Sequence, residues 1–199
     1  MKLIFVRHGQ TYDNVNHILS GNKIDASLNE NGVNQAKKTG LQLKNEKIDI
    51  AYVSTMGRAR DTAKAVLKFH PKAKIIFSDS LVDVDHGNLT GLKYKDFHDA
   101  VKKSGKTYVN FKPHDGESTE DLKKRIRKFY DDVIVKNHDN TVLIVGHADP
   151  IAVLISHIFG EHINEFEKYR INNAGITILE VNEDSHAIHA LNYTKHLDD

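Results

Sequence analysis

The chain has 199 residues, 39% hydrophobic and 28% charged, with 28 Lys and Arg against 27 Asp and Glu and no cysteine. That charge balance gives no global pull toward nucleic acid or an anionic membrane surface, and the missing thiols exclude disulfides, Cys-ligated zinc and thiol nucleophiles. The first residues run directly into an apolar strand pattern without a secretory-signal profile, and the longest largely apolar stretch, Ile151–Phe159, is too short to span a bilayer. A soluble cytoplasmic protein built as one domain over residues 1–199 is expected.

The first predicted strand, Lys2–Val6, is a β-branched and aromatic run that stops at Arg7-His8-Gly9. A helix follows from Leu28-Asn29-Glu30, with Asn29 as N-cap and Val33, Ala36, Gly40, Leu41 and Leu43 as its inner face. Next come a strand at Ile50–Val53, a helix at Arg58–Phe69 closed by His70-Pro71, and a strand at Lys74–Phe77. The segment from about 84 to 117 breaks the alternation and reads as an insertion over the carboxyl ends of the strands. Ser118-Thr119-Glu120-Asp121 is a capping box opening a helix whose stripe is Leu122, Ile126, Phe129 and Val133. Its basic run, Lys123-Lys124-Arg125-Ile126-Arg127-Lys128, reads as a solvated outer face.

A strand at Thr141–Val145 ends at Gly146-His147. Asp149-Pro150 then reads as a capping carboxylate with proline at the first helical position. Strands at Ile176–Val181 and about Ala187–Leu191, joined by the short polar link Asn182–Ser185, predict an antiparallel edge hairpin. Strands alternating with helices imply an α/β fold: a three-layer α/β/α sandwich around a mostly parallel mixed sheet, with the active site at the carboxyl ends of the strands.

Two strands that each deliver a histidine at their carboxyl ends, one beside an arginine, suit a phosphoryl group: a fixed cation next to a titratable nucleophile. The spacings His157/His162 and His186/His189 do not bring metal ligands onto one face with a helper carboxylate, so no metal site is expected.

Arg7-His8-Gly9-Gln10-Thr11 resembles the signature of the histidine phosphatase superfamily, in its phosphoglycerate mutase-like branch. Further matches follow in the family's order: Asn14, then Ser54-Thr55-Met56-Gly57-Arg58-Ala59-Arg60 pointing to Arg58, then Gly146-His147. Weaker echoes are Leu28…Gly32…Gln35-Ala36, Gly87…Gly91 and Gly116-Glu117-Ser118. The resemblance implies that His8 becomes a phosphohistidine, that Arg7, Arg58 and Asn14 bind the phosphate, and that His147 donates to its oxygens, with no cofactor and no metal ion. The family's proton donor is commonly a glutamate where this chain has Asp83, one methylene shorter and about 0.4 units more acidic when unperturbed. Asp85, His86 and Asp149 are alternative donors. Glycine commonly follows the second histidine in the family, where this chain has Ala148-Asp149-Pro150.

Roughly sixty residues separate Asp83 from His147, a spacing similar to the small, broad-specificity phosphatases of the family rather than its longer mutases. The expected activity is hydrolysis of a small phosphorylated metabolite by a monomer or homodimer, a histidine acid phosphatase-like enzyme that acts on neither nucleic acid nor membranes. Phosphoglycerate mutation is the second reading, and a non-catalytic phosphate-binding or regulatory protein the third. The insertion carries Lys93, Lys95, Lys102, Lys103, Lys106 and Lys112 among Tyr94, Phe97, Tyr108 and Phe111. These form either a lid with cationic and aromatic contacts or an ordinary helix with its lysines turned outward.

Overall fold

The computed structural model describes residues 1–182 and 185–198. The strands are β1 (Lys2–Arg7), β2 (Ile50–Ser54), β3 (Lys74–Ser78), β4 (Thr141–Gly146), β5 (Ile176–Val181) and β6 (His186–Tyr193). β1 buries Leu3 and Phe5 on one face and Ile4 and Val6 on the other; β4 does the same with Val142 and Ile144 against Leu143 and Val145. Strands that are apolar on both faces need a cover on each side, which forces a three-layer arrangement.

The six strands form one mixed sheet in the order β3-β2-β4-β1-β5-β6. The first four in that order run parallel, while β5 and β6 add antiparallel pairings at one edge, as the short link between them predicts. Glu183 and Asp184, within that link, lie outside the described residues; beside them the Asn182 N–H donates to the Ser185 carbonyl at 2.9 Å.

A single capped turn, α1 (Tyr12–Val15), follows β1. Helices α2 (Glu30–Leu43) and α3 (Gly57–Leu67) cover one face of the sheet. Asn29 caps α2 as expected, accepting from Gly32 N–H at 2.7 Å. The inner face differs from the predicted one. Val33 and Leu41 are exposed, and the buried positions are Gly32, Ala36, Thr39, Gly40 and Leu43. Close approach, not apolarity, selects this face: a Cβ at Gly32 would sit 2.0 Å from the Gln10 carbonyl oxygen, and one at Gly40 would sit 2.4 Å from that of Ala65.

Over residues 84–117 lies α4 (Tyr94–Ser104), which contributes the buried Phe97. Helices α5 (Thr119–Phe129) and α6 (Ala148–Ile158) cover the other face. The Ser118 and Asp121 capping box forms. After Phe129 the helix continues as a π-helical turn, Tyr130–Ile134, and the register change buries Ile134 where Val133 is only half-buried. Among the described residues no helix is long and apolar enough to cross a membrane.

Helix propensity alone favours alanine over glycine by about 1 kcal/mol. At Gly32 the backbone contact reverses the sign, so Gly32→Ala is expected to lower the unfolding free energy by roughly 1–3 kcal/mol in urea denaturation. A stabilised variant would contradict the close-approach account.

Candidate active site

The site is built by strand register. β1 and β4 are adjacent and parallel with Arg7 opposite Gly146, so the next residue on each strand, His8 and His147, emerges side by side. Their ring centroids lie 5.1 Å apart, edge to face, and both side chains are buried. β2 lies beside β4 and ends at Ser54, after which α3 delivers Arg58; Asp83 follows the end of β3. Every principal side chain thus comes from the segment leaving the carboxyl end of a parallel strand. Arg7, His8, Arg58 and Asp83, together with Asn14, line a cavity of about 320 Å³. His147 lies behind this wall, fully buried.

The hydrogen bonds fix the state of each group. His8 Nδ1 donates to the Gly9 carbonyl at 2.7 Å, which leaves the lone pair on Nε2, where Arg58 Nε–H donates at 3.3 Å. Burial, then His147 and the two arginines, pushes the His8 pKa well below its ordinary 6.5. His147 Nε2 lies 2.9 Å from Ser54 Oγ, which itself accepts from Met56 N–H, so the serine hydroxyl is free to donate to the ring. With the Ser54 hydroxyl as donor the proton sits on His147 Nδ1, an atom that is buried without a hydrogen-bond partner and stands 3.6 Å from an Asp83 oxygen. Burial is the main cause that pushes the His147 pKa down to about 3, against the opposing pull of Asp83.

Arg58 is 2% exposed and spends its donors on the Gly21 carbonyl (2.8 Å), the Ile24 carbonyl (3.0 Å) and Asp83 (3.2 Å). Arg7 donates to the Ile171 carbonyl at 3.0 Å and keeps a buried Nε without a partner. Burial opposes ionisation of Asp83, but His147, Arg58, His86 and the Val84 N–H outweigh it and hold the carboxyl well below the usual carboxylate range. The aspartate is therefore ionised in the free protein. Asn14 Oδ1 accepts from Thr11 N–H and from Asn173 Nδ2 at 3.0 Å, and Asn173 also reaches the His8 carbonyl.

Asp149 does not cap α6. His147 is extended (φ −126°, ψ 164°) and occupies the N-cap position itself, so Ala148 is the first helical residue and Pro150 the third. The Asp149 carboxylate turns instead to Arg170, which donates from Nε at 2.7 Å and from Nη2 at 3.2 Å. Of the basic run on α5, Arg125 is not part of a solvated face. It holds the Ser80 and Val82 carbonyls and pairs with Glu117 through two hydrogen bonds of 2.8 and 3.0 Å, pinning the backbone that presents Asp83. The insertion's lysines stay out of the cavity: Lys93 donates to the Asn16 carbonyl, Lys95 pairs with Asp99 and Lys112 with Asp121. Its aromatics Tyr94, Phe97 and Tyr108 line the wall. Asp85 pairs with Lys23, and His86 packs against Phe97 beside the cavity. Among the described residues no group of three or more His, Asp or Glu is arranged to hold a metal ion.

Arg170 and Asn173 went unmarked in the sequence because they sit in an irregular segment before β5, without periodicity or motif.

Comparison with known proteins agrees with this geometry. The family model of the histidine phosphatase superfamily (branch 1) matches residues 3–194. The chain belongs to that superfamily. It is 33% identical over 196 residues to a 2,3-bisphosphoglycerate-dependent phosphoglycerate mutase from Bartonella bacilliformis, covering 92% of this chain and 93% of the relative. It is 27% identical over 202 residues to phosphoserine phosphatase 1 from Hydrogenobacter thermophilus, covering 99% and 94%. Among solved structures, phosphoserine phosphatase from Entamoeba histolytica in complex with 3-phosphoglyceric acid superposes with a TM-score of 0.85 at 26% identity, covering 98% of each chain. The alpha-ribazole phosphatase of Shigella flexneri shares the fold with a TM-score of 0.87 at 22% identity, covering 97% of this chain and 96% of that one.

The buried imidazoles of this superfamily member make a pH prediction. Their folded-state values lie below 6.5, so at lower pH the unfolded chain binds more protons than the folded one. Their stability contribution is complete above about pH 6.5 and shrinks by about 1.4 kcal/mol per unit for each histidine as the pH falls toward 4. Urea unfolding across this range is expected to show a shallower slope in His147→Gln than in the parent protein. Equal slopes would show that His147 accepts a proton while folded.

Proposed function

We propose that the protein is a metal-independent phosphomonoester hydrolase acting on a small phosphorylated metabolite through a phosphohistidine on His8. The observation that carries this reading is the neutral His8 imidazole, with its Nδ1–H committed to Gly9 and its Nε2 lone pair beside Arg58, in a cavity that Arg7 also lines. A nucleophilic nitrogen flanked by guanidinium groups is what in-line phosphoryl transfer requires: positioning, and charge stabilisation of the equatorial oxygens.

In this reading Arg7, Arg58, Asn14 and the His147 Nδ1–H hold the non-bridging oxygens. His8 Nε2 attacks phosphorus, the bond from phosphorus to the ester oxygen breaks, and Asp83 gives its proton to the departing alcohol. The ionised state of Asp83 in the free protein is compatible with this role. A phosphoryl dianion competes for Arg58 and adds negative charge beside the carboxyl, and both effects raise its pKa. Binding then takes up a proton. In the second half the Asp83 carboxylate takes a proton from water as the oxygen attacks the phosphohistidine; the P–N bond breaks and phosphate leaves.

Hydrolysis is favoured over phosphoglycerate mutation by the charges of the cavity. Beyond Arg7 and Arg58, Arg170 is the remaining lysine or arginine among the described lining residues, and it is already paired with Asp149 and Glu167. A mutase has to hold a second anionic group and exclude water. The kinship with a phosphoglycerate mutase keeps that activity as the second reading. Pairing of Asp149 with Arg170, away from the helix N–H groups, removes one ground for a non-catalytic binder.

Phosphate release from an activated aryl phosphate in EDTA is expected to persist in the parent protein and to fall by at least about a thousandfold in His8→Ala. Loss of activity in EDTA, or its retention in His8→Ala, would contradict the proposal. On alkyl phosphates, whose leaving groups need the proton, Asp83→Asn is expected to slow turnover by about 100-fold or more while Asp83→Glu retains most of it. Equal rates for the parent and Asp83→Asn would remove Asp83 from the mechanism.

A further inference from the structure

Resting on the hydrolase reading, we propose that the Asp149–Arg170 pair sets the charge allowed on the leaving group. The site takes monoesters of alcohols that have an apolar or aromatic body and carry no second anionic group.

Beyond the phosphate-binding side chains, the cavity wall is largely apolar or aromatic, with Ile18, Leu19, Tyr94, Phe97 and Tyr108. Beside the imidazoles of His86 and His98, the charged side chains of that wall reduce to one ion pair, Asp149 with Arg170, and its charges do not cancel. Arg170 donates through two hydrogen bonds to Asp149 and, from Nη1, to Glu167 at 3.0 Å, so one guanidinium answers two carboxylates. Its remaining surface lies over the Tyr108 and Phe166 rings, 5.4 and 5.2 Å from their centroids, and Nη2 also donates to the Tyr108 hydroxyl at 2.8 Å. Four of the five N–H donors are spent, which leaves one Nη1–H and no paired face for a ligand carboxylate or a second phosphate. The Asp149 side chain is only 17% exposed, so its field is poorly screened where it borders the cavity.

The surroundings report the same negative field. Burial is the first cause that drives the Tyr108 hydroxyl well above its ordinary pKa, and the Asp149 carboxylate is the next. Asp149 also acts on Arg7, raising its pKa against the burial that lowers it, so the carboxylate is within electrostatic reach of the phosphate-binding end. A second anionic group on the substrate would meet this carboxylate. A neutral or ammonium-bearing alcohol would not be repelled, and the aromatic side chains offer it apolar contact.

The test compares kcat/KM for phenyl phosphate, phosphoethanolamine and 3-phosphoglycerate in the parent protein, Asp149→Asn and Arg170→Gln. Each comparison is a ratio within one preparation, so partial misfolding cancels. The parent protein is expected to prefer phenyl phosphate and phosphoethanolamine over 3-phosphoglycerate. Asp149→Asn removes a negative charge and frees Arg170, which raises the ratio of 3-phosphoglycerate to phenyl phosphate about tenfold. Arg170→Gln bares the carboxylate and lowers the same ratio. Both variants break the same ion pair, so a merely structural role moves their ratios alike or not at all, and either result overturns the proposal. A parent protein that prefers 3-phosphoglycerate also overturns it. Absence of hydrolysis of all three esters by the parent protein instead overturns the hydrolase reading beneath it.

Discussion

Two guanidinium groups, Arg7 at the end of β1 and Arg58 in the first turn of α3, govern the chemistry of this cavity. Burial first, and then the positive potential of Arg7 and Arg58, keeps both imidazoles neutral, while His147 and Arg58 hold the Asp83 carboxyl ionised against the burial that opposes it. One consequence is a neutral nucleophile near neutral pH, its Nε2 lone pair facing Arg58. Another is that Arg7 Nε and His147 Nδ1 remain buried donors without partners, a costly state in a protein interior. A group with several acceptor oxygens and two negative charges relieves both conditions at once, which is the physical reason to place a phosphoryl group here.

The sheet supplies the precision. Because β4 inserts between β1 and β2, the chain segments leaving the strands diverge above a common point, and His8, His147, Ser54 and Arg58 converge there. Backbone carbonyls of Gly21 and Ile24 fix the Arg58 fork, Asn173 ties the His8 carbonyl to Asn14, and Arg125 with Glu117 fixes the backbone around Asp83. Side chains held by this many directional bonds lose little entropy when substrate arrives. The wall toward the leaving group is made differently, from aromatic side chains of residues 94–108 and one ion pair, and that is where members of one superfamily can diverge in substrate.

Much of this was legible in the sequence because strand ends and motifs are local. An apolar run stopped by Arg7-His8-Gly9, and another stopped by Gly146-His147, specify both the strands and what they deliver. Where local rules misled, tertiary contact had overridden them. Asp149-Pro150 has the form of a cap, yet His147 is extended to serve the site and takes the cap position, freeing Asp149 for Arg170. Val33 and Leu41 fit an apolar stripe, but the neighbouring chain approaches α2 so closely that only Gly32 and Gly40 fit against it. Arg125 was hidden in a run of like charges, distinguishable only by the direction its position on α5 imposes. Arg170 and Asn173 lie in an irregular segment, where no periodicity marks a residue for burial.

The central claim is that His8 Nε2 carries the phosphoryl group between two displacements. The most direct test is rapid quenching of the Asp83→Asn variant with an activated aryl phosphate, followed by intact-mass and peptide analysis under alkaline conditions. The account predicts a mass increase of one phosphoryl group, located on His8, because water attack is slowed while the first displacement onto a good leaving group is not. A product that forms with no adduct on His8, or with the adduct on another residue, would contradict it.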